Sequence, residues 1–119
     1  MSDFIKAPSK KPKFSQKGLD GYNFTLSSVN NIEMHMVDIK TGHNTYIISK
    51  KCTHIYYIVE GSGTFDIDGK MIKVSTGNLI EVPPNVKYTY SGKMKALLIM
   101  DPPWFEGNEE ILEKNPDVE

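Results

Sequence analysis

The sequence predicts an all-β domain, a sandwich or barrel of short antiparallel strands. Three observations point there. Apolar, β-branched and aromatic residues come in short runs, the clearest being His54-Ile-Tyr-Tyr-Ile-Val-Glu60. Glycines and prolines separate the runs at roughly 8–12 residues, the spacing of hairpin-connected strands. Asp68-Gly69 lies between two such runs and is the strongest short hairpin signal in the chain.

Taken in order, residues 1–20 carry Lys6, Lys10, Lys11, Lys13 and Lys17 with Pro8 and Pro12 between them. A basic, proline-broken segment cannot hold a helix and reads as an extended arm. Residues 21–105 hold the strand runs, and 106–119 form an acidic tail. A short strand is expected over 22–26, with a turn at Asn30-Asn31. Residues 32–39 alternate: Glu33, His35, Val37 and Ile39 face one way, Met34, Met36 and Asp38 the other. Further strands are expected over 45–49, 54–60, 64–67, 71–74, 79–82, 86–90 and 95–100. The turns between them fall at Gly42, Lys50-Lys51, Gly61-Ser62-Gly63, Asp68-Gly69, Gly77-Asn78, Pro83-Pro84 and Ser91-Gly92. Asp101-Pro102-Pro103 stops the last strand. In the tail, Asn108 is placed to cap a short helix over 109–114, whose first acidic residues suit a helix N-terminus.

At 119 residues the chain is long enough for one domain with one core. A hydrophobic fraction of 39% and a net charge of −1 argue against disorder and against a polyanion partner. The lysines of the arm have no interleaved aromatics elsewhere to continue a nucleic-acid footprint, so no nucleic-acid partner is expected. Cys52 is the single cysteine, so no internal disulfide forms, in keeping with a reducing cytoplasm. No stretch is apolar enough to span a membrane.

The glycine and proline spacing is more specific than the composition. Gly42 is followed after five residues by Ile48, then by Lys50, His54 and Gly61. Gly77 is followed after five residues by Pro83, then by Asn85, Tyr88 and Gly92. This framework resembles the cupin superfamily, whose motifs read G-x5-H-x-H-x3,4-E-x6-G and G-x5-P-x-G-x2-H-x3-N, and it covers about residues 40–105. The resemblance implies a double-stranded β-helix, or jelly-roll barrel; the basic arm precedes it and the short helix follows it. Small cupins commonly pair strands across a two-fold axis, so a homodimer is implied, with the arm exchanged between subunits.

In that family the motif histidines and glutamate hold a divalent metal. Here those positions carry Ile48, Lys50, His54 and Tyr88. Isoleucine cannot ligate, and lysine competes as a cation. A first-row metal needs three or four converging N, O or S donors, so no metal or other cofactor is expected. His35 is the nearest candidate for a second ligand beside His54.

What remains is a polar cluster. Strand alternation is expected to put Ile48, Lys50, His54 and Tyr56 on one face, with Tyr88 and Tyr90 from the second motif. His35 and Met100 are expected to complete the wall. Such groups suit a small polar molecule, sugar-derived ligands among them. As an enzyme the chain would be a metal-independent isomerase, epimerase or lyase, with His54 as base, Tyr88 as acid and Lys50 stabilising an enolate. The bland alternatives are that His54 is a satisfied interior histidine, that the tyrosines only pack, and that Lys50 reaches solvent. Two other functions compete: a non-catalytic binding or sensor protein, and a metal-dependent dioxygenase with an unusual site. Trp104-Phe105 reads as a cover over one barrel end or a subunit contact.

Overall fold

The computed structural model describes residues 4–118. These form nine strands: β1 Phe14–Gln16, β2 Leu19–Phe24, β3 Glu33–Ile39, β4 Thr45–Ser49, β5 Thr53–Ile67, β6 Lys70–Ser75, β7 Leu79–Val82, β8 Tyr88–Asp101 and β9 Glu109–Lys114. All pairings are antiparallel within one curled sheet. Among the described residues no helix is long and apolar enough to cross a membrane. The all-β jelly-roll barrel expected from the sequence is the observed architecture.

Two long strands, β5 and β8, make the spine. They pair from Thr53↔Asp101 to Ile67↔Tyr88, with a bulge between Ile58 and Glu60. The turns expected at Gly61-Ser62-Gly63 and Ser91-Gly92 are instead bends inside these strands. The reason is local. Gly63 and Gly92 are register partners, and a Cβ on Gly92 would stand 2.5 Å from the Gly63 Cα, at a φ of 124°. Glycine here lets the backbones approach and the sheet curl instead of reversing the chain. At the N-terminus, Phe14 pairs with Gly21. A Cβ on Gly21 would meet the Phe14 ring at 2.1 Å, so the missing side chain is what allows this aromatic to fold down over the sheet. Phe14 and the fully buried Leu19 thereby join the core of their own chain.

The expected C-terminal helix is a strand, β9, lying along β4 with Ile48↔Glu110 and Ser49↔Glu109 in register. Asn108 explains the difference. It is fully buried. Its Nδ2 donates to Ser49 Oγ at 2.8 Å and its Oδ1 accepts the Lys51 N–H at 2.9 Å. The residue read as a helix cap is a bolt between the tail and the β4 turn. A six-residue helix has little intrinsic stability, whereas the open β4 edge offers a row of hydrogen bonds.

The interior changes character along the strands. At one end Val37, Ala96 and Ile58 are register neighbours, as are Ile39 and Met94, and all are buried. Two residues further on, the inward row is His35, Leu98 and Tyr56. Two more bring Glu33, Met100 and His54. The strict two-residue period of a strand therefore carries an apolar core at one end into a polar chamber at the other.

Candidate functional site

That chamber is a cavity of about 390 Å³, lined from β1, β2, β3, β4, β5, β8, β9 and the loops beside them. Its floor is aromatic. Tyr56, Tyr88 and Tyr90 are all buried, and their rings pack at centroid distances of 5.4–6.5 Å. The Tyr56 and Tyr88 hydroxyl oxygens are 2.6 Å apart, and Tyr90 bonds to Tyr56. Burial pushes all three phenols well above 10, so they stand as neutral O–H groups. Three hydroxyls joined by two bonds leave one hydrogen to donate outward.

His43 forms one wall. Its Nδ1 lies 2.8 Å from the Thr45 carbonyl oxygen. A carbonyl only accepts, so Nδ1 carries the proton and Nε2 keeps its lone pair. Gln16 sits against that nitrogen, its amide Nε2 3.4 Å away, while its Oε1 accepts the Asn44 N–H at 3.1 Å. Burial lowers the His43 pKa, against the opposing pull of the Thr45 carbonyl. The ring is thus neutral near pH 7, with its basic nitrogen in the chamber. Thr89 and Asn115 bond the His43 carbonyl and fix the loop.

Two further histidines line the cavity. His35 is buried, with its Nε2 2.9 Å from Glu33 Oε2, and the ring edge of Phe14 packs on it at 5.1 Å. His54 is buried between register partners Met100 and Val82. Its ring lies 6.0 Å from Tyr88 and 6.3 Å from Tyr56. Burial lowers its pKa to about 4, with the Cys52 carbonyl opposing. The Nδ1 atoms of His35 and His54 are both buried without a partner among the described residues.

At the mouth, Trp104 is half exposed and donates its indole N–H to Glu109 on β9. Burial raises the Glu109 pKa, with the Trp104 bond opposing. Lys13 and Gln16 bring the N-terminal hairpin over the same opening.

Of the residues singled out in the sequence, His54, Tyr88, Tyr56, Tyr90, His35 and Met100 share this cavity. Lys50 and Ile48 do not. Lys50 is exposed, its N–H bonded to the Asn108 carbonyl. On β4 it is Ile47 and Ser49 that are buried, while Ile48 lies on the half-buried side opposite Glu110. The turn between β4 and β5 shifts the alternation by one residue, which strand periodicity alone does not reveal.

Polar and aromatic lining residues that sequence reasoning missed are His43, Glu109, Gln16, Glu33, Lys13 and Phe14, while Trp104, read as a cover over a barrel end or a subunit contact, lines the cavity. Most come from turns or from the two chain ends. The one usable signal was that His43 directly follows the first glycine of the motif.

The metal implied by the family resemblance does not fit these side chains. Ile48 and Lys50 stand outside the cavity. Among the described residues no group of three or more His, Cys, Asp or Glu converges as a metal site.

Comparison with known proteins agrees with the architecture. A family model described as "Cupin domain" matches residues 35–100. Pac13, described as a nucleoside dehydratase, is 22% identical, with a TM-score of 0.80 over 94% of this chain and 88% of its own. A tyrosine variant of Streptomyces Pac13 solved with uridine is 21% identical, with a TM-score of 0.85 over 98% and 96%. Ectoine synthase from P. lautus is 17% identical, with a TM-score of 0.66 over 86% and 81%. At such identities the likeness is one of fold. No match was found among curated protein sequences.

Proposed function

The chain belongs to the cupin superfamily, and we propose that it is a metal-independent acid–base enzyme, a lyase acting on a small sugar-derived carbonyl compound. The observation that carries this reading is the fixed tautomer of His43. Its Nδ1–H is committed to Thr45 and its Nε2 lone pair faces a cavity floored by phenol hydroxyls.

In this chemistry His43 Nε2 removes the proton from a carbon next to the substrate carbonyl. The C–H electron pair moves into the carbonyl and makes an enolate oxygen. The spare hydrogen of the Tyr90–Tyr56–Tyr88 chain stabilises that oxygen in a site shielded from water. The enolate then collapses and expels a β-hydroxyl, which takes a proton from the Glu109 carboxyl and leaves as water. A carboxyl whose pKa burial has raised suits that role. Return of the proton to the opposite face of the same carbon would make the enzyme an epimerase instead. The base is His43 rather than His54, because a pKa near 4 makes His54 a weak base.

Support by analogy comes from Pac13, whose described activity is nucleoside dehydration and whose variants are solved with uridine. A nucleoside-derived carbonyl compound is therefore the first substrate to try. The direct experiment incubates the protein in D2O with a panel of aldehydo- and keto-sugars and nucleoside-derived carbonyl compounds, read by NMR. Loss of the proton next to the carbonyl, with or without dehydration, is the expected result. No exchange with any member of the panel would sink the catalytic reading.

A second reading rests on the groups already engaged. Glu33 bonds His35, Glu109 bonds Trp104, and the tyrosines bond each other. A site so internally satisfied suits a protein that only binds its ligand. Saturable binding without exchange would identify it.

A further inference from the structure

The polar atoms of the cavity are unevenly divided between donors and acceptors, and the imbalance describes the ligand. In a neutral His35, Nε2–H donates to the Glu33 carboxylate, so the buried Nδ1 is an acceptor with nothing to accept. His43 Nε2 is an acceptor met only by a long 3.4 Å contact from Gln16. His54 Nδ1 is buried and unpartnered as well. The Glu33 carboxylate lines the same space, with the Glu109 carboxyl across from it. On the donor side there is one spare phenol hydrogen. Lys13 is the one lysine among the described lining residues, and it is exposed at the rim. The chain contains no arginine, the residue whose planar fork best matches phosphates and carboxylates.

Buried polar atoms in native proteins are almost always paired. Unpaired imidazole nitrogens inside a ligand-sized cavity mark the places where the ligand supplies the partner. They lie on different strands, β3 and β5, so they call for several separate donors and not for one. The aromatic floor contributes apolar faces that suit the C–H surface of a ring. An added anion would meet the Glu33 carboxylate and acceptor lone pairs.

We infer that the cavity selects an uncharged, polyhydroxylated ligand, a free sugar or an unphosphorylated nucleoside, and rejects the phosphorylated form of the same molecule. This rests on reading the cavity as the ligand site and not on catalysis, so it stands or falls by binding alone.

The test is calorimetric titration with uridine, 2′-deoxyuridine, free ribose and glucose, uridine 5′-monophosphate, glucose 6-phosphate and the diamine putrescine. At least one neutral polyhydroxylated member should bind, its phosphate ester should bind at least ~10-fold more weakly, and putrescine should not compete. Loss of a hydroxyl donor from a site built to pair with it costs at least as much, so the deoxy form should also be weakened by ~10-fold or more. His35→Phe, which removes one unpaired acceptor and keeps the ring volume, should shrink the gap between hydroxylated and deoxy ligands. If His35→Phe does not fold by thermal melting, His54→Phe makes the same test. Equal or tighter binding of either phosphate ester, tighter binding of putrescine, binding of no neutral member, or a hydroxyl preference unchanged in the folded variant would each overturn the inference.

Discussion

The hydroxyl oxygens of Tyr56 and Tyr88 lie 2.6 Å apart in the floor of the barrel, although along the paired strands β5 and β8 Tyr56 stands opposite Leu98 and Tyr88 opposite Ile67. Burial keeps both phenols protonated. Tyr88→Phe removes one end of the hydroxyl chain and leaves Tyr56 bonded to Tyr90. The stability cost should be small, about 1 kcal/mol, because the ring still fills its place. Turnover should fall by about 10²-fold, the usual worth of a positioned proton donor. Chemical denaturation and steady-state kinetics on one preparation check both halves.

Acid should destabilise the fold through His54. Its folded pKa, about 4, lies below the unfolded value of 6.5. Between those values the unfolded chain binds the proton and the folded one does not. Stability is therefore full above about pH 6.5 and is lost as the pH falls towards 4. The ring is 3% exposed, so the shift converts to a loss of about 3 kcal/mol. Denaturation midpoints from pH 7 to 4 should show it, and His54→Phe should flatten that slope. His43 shifts in the same direction, so the acid limb of any activity profile should have its midpoint below 6.5, with activity rising towards neutral pH.

Asn108→Ala should loosen the C-terminal strand. It removes the bonds to Ser49 Oγ and to the Lys51 N–H, leaving both groups without that partner. A loss of about 2 kcal/mol is expected. Hydrogen exchange should quicken at Ile47 and Ser49, the partners of β9. Faster exchange there also separates a paired strand from a tail helix, which would leave β4 unaffected.

The outer face of the sheet carries an apolar row in register, Tyr22, Met36, Leu97, Tyr57 and Leu79, with Phe24, Met34, Ile99 and Ile55 beside it. Leu79 is 64% and Tyr57 43% exposed. Five strands at ~4.8 Å spacing make this face ~20 Å wide. We propose that a second copy covers it across a two-fold axis, the arrangement that lets one patch serve both partners. Sedimentation equilibrium at about 10 μM should then give twice the 13.5 kDa chain mass, and Leu79→Lys should return the chain to monomer. A wild-type monomer at that concentration would rule the pairing out.

The fold was legible in the sequence because glycines, prolines and β-branched runs report local backbone needs. The same signal misled at Gly63 and Gly92, since a glycine that permits a close crossing looks like a glycine that permits a turn. The floor of the site was also legible: Tyr56, Tyr88 and Tyr90 follow strand alternation and the motif spacing. His43, Gln16 and Glu109 were not. They reach the cavity from a turn, a three-residue strand and the tail, and only the three-dimensional closure of the barrel brings them together. Lys50 and Ile48 failed for the converse reason, because a turn of uncertain length lay between them and the residues whose phase they were given.

The proposed chemistry is tested most directly by comparing solvent-deuterium exchange next to the substrate carbonyl in two variants, His43→Gln and His54→Phe. If His43 Nε2 is the base, exchange falls by about 10²–10⁴-fold in His43→Gln and stays within ~10-fold of wild type in folded His54→Phe. Exchange that survives His43→Gln and disappears in His54→Phe would contradict it and return the base to the histidine that stands where the family's motif has glutamate.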